Sequence, residues 1–172
     1  MELIAAPFGE NDIDELITWF PTAADVVQWA GPRLRAPLDL KQLLPFLIQE
    51  PGGWQAWTVR GGTGHIAGHF QLLFDPVCRQ ATLGRVAIAP AQRGRGLAAP
   101  MVELALQCAF AEPAIHRVEL RVFDFNKAAI ATYAGLRFQH EGLCREAVPV
   151  GDVFWNVAIM GLLRRDWPGD TQ

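Results

Sequence analysis

At 172 residues, 51% hydrophobic and 19% charged, the chain has room for one domain with a substantial core and is too apolar to be disordered. A net charge of −3 gives no support to nucleic-acid binding, which needs a concentrated basic face, and three scattered cysteines without a CxxC pair argue against a disulfide framework or zinc knuckle. Cys78, Cys108 and Cys144 fit a reducing cytoplasm; Met1–Phe8 lacks a signal-like pattern, and the apolar run Val153–Leu163, broken by Asn156, is too short to span a bilayer.

In chain order, a short strand over Leu3–Ala5 is followed by a helical first third. Asp14, Glu15 and Trp19 share one helical stretch, and Thr22 is placed to cap the next, which ends near Gly31-Pro32. A third helix is predicted over Asp39–Glu50, ahead of Pro51-Gly52-Gly53, with Pro45 awkward inside it. The pattern then changes. Trp54–Arg60 and His65–Phe74 read as strands joined by Gly61-Gly62-Thr63-Gly64, and Ala81–Ala89 follows the Asp75-Pro76 turn as a third. A long helix over Gly96–Ala111, a strand over His116–Phe123, a short helix over Asn126–Ala134 and strands over Arg137–Leu143 and Val153–Leu162 complete a mixed α/β domain with one central sheet.

The most informative segment runs from Val86 to Ala98. A strand ends at Pro90 and a helix begins within Gly94-Arg95-Gly96, so successive backbone N–H groups can line one concavity beside the positive end of the helix. Arg93 and Arg95 add formal charge, and the whole suits a pyrophosphate. A glycine turn before a surface helix, with two solvated arginines, is the plainer alternative. The segment lacks the GxxxxGK[ST] of a P-loop, and GxGxxG fails at Ala99 with no ribose-binding acid downstream.

Arg93-Gly94-Arg95-Gly96-Leu97-Ala98 resembles the R/Q-x-x-G-x-G/A signature of GNAT acetyltransferases, and Val86-Ala87-Ile88-Ala89-Pro90 resembles that family's fourth strand. The resemblance implies a mostly antiparallel sheet with splayed central strands, helices on both faces, and a single domain over residues 1–172. It implies acetyl-CoA as cosubstrate and no metal. Pantetheine contacts would fall to Val86, Ala87 and Ile88, and pyrophosphate contacts to Arg93, Gly94, Arg95, Gly96, Leu97 and Ala98. Val118–Tyr133 resembles the next strand and helix, where an asparagine and a tyrosine recur seven residues apart, here Asn126 and Tyr133. The closing strands resemble the ribosomal-protein N-terminal acetyltransferase branch through Glu141-Gly142, Arg145 and Met160-Gly161-Leu162. One departure is Arg137-Phe138, where the family has Gly-Phe.

Asn126 is also a natural helix cap, and both roles can hold at once. Tyr133, the single tyrosine, has a chemical reason to act: a thiolate leaving a thioester must be protonated, and a phenol with a pKa near ~10 can supply the proton. No acid lies between Gln80 and Ala89, so Glu119 on the adjoining strand is the candidate base, against its plainer role as partner of Arg117 or Arg121, or a water relay. The backbone N–H of Ile88 would hold the carbonyl oxygen. His65 and His69 would lie about 13 Å apart along a strand, too far to share a metal. Asp12, Asp14, Glu15 and Asp25 read as a solvated helix face, and most of the six tryptophans as core.

The sequence thus predicts an acetyl-CoA-dependent N-acetyltransferase acting on a primary amine by direct attack, with Tyr133 as general acid. The acceptor is a small amine or a protein N-terminus, and a homodimer is compatible. A non-catalytic acyl-CoA-binding or sensor module of the same fold is the alternative, and a general nucleotide-binding domain a third reading.

Overall fold

In the structure, a computed structural model that describes residues 2–50, 53–62 and 64–170, one seven-stranded sheet organises the chain. Its strands are β1 (Leu3–Pro7), β2 (Trp54–Gly61), β3 (Ile66–Asp75), β4 (Gln80–Ile88), β5 (Arg117–Phe123), β6 (Gln139–Val150) and β7 (Val153–Leu163), in the order β1-β2-β3-β4-β5-β7-β6. Every neighbouring pair is antiparallel except β4–β5, which is parallel. That exception follows from connectivity: a helix crosses between β4 and β5, whereas tight turns join β2 to β3 and β3 to β4.

The helices are α1 (Ile13–Ile17), α2 (Ala23–Ala30), α3 (Leu40–Leu43), α4 (Ala98–Phe110) and α5 (Lys127–Gly135). Thr22 caps α2 by a reciprocal box with Asp25, and Asp39 caps α3 through the Gln42 N–H. The helix expected over Asp39–Glu50 is not continuous. Pro45 has no N–H to donate, so α3 stops after one turn and passes into a 3₁₀ turn over Leu44–Leu47. Its predicted stop at Pro51-Gly52 lies outside the described residues, as does Thr63 in the β2–β3 turn. There Gly61 N–H still donates to His65 O at 3.0 Å.

The helices divide between the two faces of the sheet, as strand alternation demands. Ala56 packs with Ile13, Leu16, Val26, Trp29, Leu43 and Phe46 of the α1–α3 side. Its neighbours Trp57 and Val59 point the other way, towards α4 and α5. Gly68 of β3 lets α4 approach closely, since a Cβ there would collide with Met101 and the Ala87 carbonyl. After β7, Arg164 donates to the carbonyls of Phe110 (2.9 Å), Glu112 (2.8 Å) and Ile115 (2.7 Å) and lies over the Phe110 ring, closing the end of α4.

Three further expectations are corrected. Asp12 does not sit on a solvated face: it is buried, accepts from Thr58 Oγ1 at 2.6 Å and pairs with Arg60, tying the first helical segment to β2. The strand expected over Arg137–Leu143 starts at Gln139 and runs to Val150, with an irregularity between Cys144 and Val148 where Glu146 takes φ +50. The turn after α5 survives without its glycine, because Arg137 itself adopts φ +69 while Phe138 N–H bonds Tyr133 O at 3.0 Å.

An L-residue in that left-handed conformation is strained, and Arg137 recovers only a long contact, 3.4 Å, to Asp166 O. Arg137→Gly is therefore expected to stabilise the fold by about 0.5–1 kcal/mol in urea denaturation. A loss of stability would show that the Asp166 contact outweighs the strain.

Candidate active site

The site begins with a fork in the sheet. β4 and β5 pair only from Gln80↔Arg117 to Leu83↔Leu120, after which β4 stays with β3 and β5 with β7. A bulge starts the divergence. Gly84 faces Gln71 and Ala87 faces His69, so Arg85 and Val86 share a span that β3 covers with Phe70, and Arg85 takes φ +49. Trp29 of α2 secures the bulge by donating its indole N–H to the Arg85 carbonyl at 2.8 Å.

The fork widens into a cleft of about 980 Å³. Val86, Ala87, Ile88, Arg93 and Ala98 line one wall; Glu119, Asn126 and Tyr133 line the other. The structure thus brings together most of the residues expected from the sequence. Val86 and Ile88 pack towards the α4–α5 side and Ala87 towards the α1–α3 side, so one short strand serves both halves of the cleft.

The loop between β4 and α4 has the form expected of an anion nest. Gly94 and Gly96 adopt φ +75 and +72, and a Cβ at either would point into open space. The helix begins at Ala98 rather than Gly96, because the left-handed glycine cannot belong to it. Leu97, at the cap position, has no side-chain acceptor for the first N–H groups of α4, and open N–H groups at a helix start suit an anion. Its own side chain is buried in the core, so Leu97 can offer only backbone. Gly94, Arg95 and Gly96 are exposed and, like Leu97, do not line the cleft, and Arg93 Nε approaches Ile88 O at 3.4 Å. These residues fit a pyrophosphate.

On the opposite wall Asn126 caps α5 by accepting from Ala129 N–H at 3.2 Å. Tyr133 is buried edge-on to Phe138, and burial pushes its pKa up to about 12. The ordinary phenol acidity expected from the sequence is corrected accordingly. Glu119 pairs across from Thr82, not from Val86–Ile88, because the β4–β5 rungs end at Leu83. Arg117 donates to Glu119 at 3.2 Å and to Glu141 at 2.7 Å, and its bond to Glu141 holds the Glu141 carboxyl below its usual range.

Several cleft residues escaped the sequence. Trp19, Phe20, Gln28 and Trp54 line the cleft together with Asp25 and Trp29 of the first helices, whose acids were expected on a solvated face, so three of the six tryptophans face the cleft rather than serving core alone. Arg85 also lines it, its guanidinium 5.0 Å from the Phe46 ring centre and 4.9 Å from that of Trp54. Its position directly before Val86 was a signal that could have been read. Beneath it, His69 is buried beside Phe8, Trp29 and Phe46; burial first, then the charge of Arg85, lowers its pKa to about 3, so it is neutral. Among the described residues, no group of His, Cys, Asp and Glu could hold a metal ion, and no helix is long and apolar enough to cross a membrane.

Comparison with known proteins agrees with this geometry. The acetyltransferase (GNAT) family model matches residues 13–138. A spermidine N-acetyltransferase from Vibrio cholerae, solved with CoA and spermine, superposes with a TM-score of 0.82 at 20% identity, covering 95% of this chain and 96% of its own. Glutamine-substituted forms of the spermidine/spermine enzyme from the same organism give 0.79 at 19% identity, with 99% and 100% covered. A dodecameric form gives 0.77 at 19% identity over 99% and 98%. At such identities the superpositions speak for the fold. The family match spans well over half of the sequence, and the chain belongs to the GNAT acetyltransferases, which draw on acetyl-CoA.

Proposed function

We propose that the chain, acting as one domain over residues 1–172, transfers the acetyl group of acetyl-CoA to a small primary amine by direct attack, with Tyr133 as the acid. The observation that carries this reading is the meeting, in one cleft, of the open edge of β4, both flanks of the glycine loop and Tyr133.

The roles follow from the backbone. Ala89 N–H donates to Ala67 O of β3 at 2.9 Å, so alternation turns the Ile88 N–H to the open side. There it can pair with the pantetheine arm or hold the thioester oxygen as negative charge develops on it. The amine nitrogen bonds to the carbonyl carbon, the carbon–sulfur bond breaks, and its electron pair leaves with sulfur. Tyr133 keeps its proton at every working pH, so a donor is always present for that sulfur. The gap between a phenol near 12 and a thiol near ~8.5 makes this first a hydrogen bond to the developing thiolate, and a completed transfer only as solvent replaces the proton. The proton lost by the amine goes to Glu119 or to a water relay. The commitment of Glu119 to Arg117 favours the relay.

Three measurements test the reading. Gly96→Val would fill the open side of the loop and strain a φ of +72, and is expected to abolish CoA binding by calorimetry; unchanged affinity would remove the loop from the site. Tyr133→Phe should lower kcat by roughly 10²–10⁴-fold, with little change in CoA affinity and a similar loss at all pH values below about 10. Full activity at saturating substrate would exclude Tyr133. Glu119→Gln should leave the pH–rate profile as in wild type under the relay, whereas loss of the acidic limb would make Glu119 the base.

A further inference from the structure

Resting on the acetyl-transfer reading, we infer that the acceptor amine carries a carboxylate, and that Arg85 binds it at the end of the cleft walled by Trp19, Phe20, Trp29 and Trp54. The position of Arg85 carries the argument. The residue next to it, Val86, faces the α4–α5 side, whereas the Arg85 side chain lies over Phe46 of the opposite side, where the cleft is left to the acceptor.

The charge of Arg85 is uncompensated. It makes no ion pair among the described residues, and its protein bond is neutral: Nη1 donates to Gln71 Oε1 at 2.6 Å. Gln71 is fixed in that role, because its amide nitrogen donates to His69 Nε2 at 3.1 Å, which the neutral histidine accepts. Nε of Arg85 is buried without a partner. Burial first, and the charge of Arg33 second, push the guanidinium pKa down, which is the sign of a cation short of an anion. A half-buried arginine held between two rings with donors unfilled is costly unless a ligand supplies the acceptor, and its planar fork suits a carboxylate.

The acids of the cleft offer little to a polycation. Asp25 is committed to the Thr22 cap and Glu119 to Arg117, whereas Arg85, Arg93 and Arg121 also line the cleft. A polyamine, the ligand of the similar Vibrio cholerae enzyme, would bring a second ammonium towards Arg85 with only Asp25, whose Oδ2 is already taken by the Thr22 cap, to receive it.

Thiol release from acetyl-CoA should be measured with free amino acids, the same amino acids as amides, and spermidine. Wild type is expected to use the best free acid with a kcat/KM about 10²-fold above its amide, and spermidine least of all. In Arg85→Met the acid and amide should become equal while CoA affinity by calorimetry is retained. Arg85→Lys, which keeps the charge, should retain part of the preference and guards against a variant that fails to fold. Amides or spermidine turned over by wild type as well as the acids would overturn the inference and leave acetyl transfer standing. If no amine releases thiol, the acetyl-transfer reading fails instead. The carboxylate is then still read by calorimetry of N-acetylglycine against N-acetylglycinamide on the CoA-bound protein, where equal affinity would overturn the Arg85 inference.

Discussion

Backbone groups inside a sheet must find partners, and the rungs joining β4 to β5 stop at Leu83↔Leu120, well before either strand ends. Each buried group left over costs about 1–3 kcal/mol if nothing satisfies it, so the fork has to be held open by the rest of the molecule. The bulge at Arg85 and Val86 bends β4, the Trp29 indole takes up the Arg85 carbonyl, and Met101 wedges α4 against Gly68. Hydrophobic clusters on both faces of the sheet clamp the two halves apart. The separation is built into the packing before any ligand arrives, which is what preorganisation requires.

What could be read from the sequence was local. Gly94 and Gly96 announce left-handed backbone by being glycines, and Thr22 and Asn126 announce caps by their place ahead of apolar runs. The meander of β2, β3 and β4 was also legible, since tight turns force neighbours, whereas the insertion of β7 between β5 and β6 was not. Pro45 stands inside the helix expected over Asp39–Glu50, and its missing N–H is what ends α3 after one turn.

What could not be read depended on register and burial. Glu119 faces Thr82 because of where the β4–β5 rungs start, and no residue in either strand states that offset. The acidity of Tyr133 is set by burial away from water, which depends on how the rest of the chain packs over it. Asp12 looks like one more acid on a helix until Thr58 and Arg60, more than forty residues away, close over it. Arg85 was passed over because a charged residue in a strand ordinarily points to solvent, and only the bulge turns it between Phe46 and Trp54.

The grip of Arg164 on α4 bears on the other end of that helix. The carbonyl of Phe110 in its final turn, with those of Glu112 and Ile115 beyond it, receives a guanidinium, so the negative pole of the peptide dipoles faces the chain's own cation. The positive pole, at Ala98, has no such internal counter-charge from a capping side chain. The helix is thus electrically finished at one end and unfinished at the other. A phosphate at the glycine loop would supply at one end what Arg164 supplies at the other, each acting on its own terminal turn of a 13-residue helix about 20 Å long.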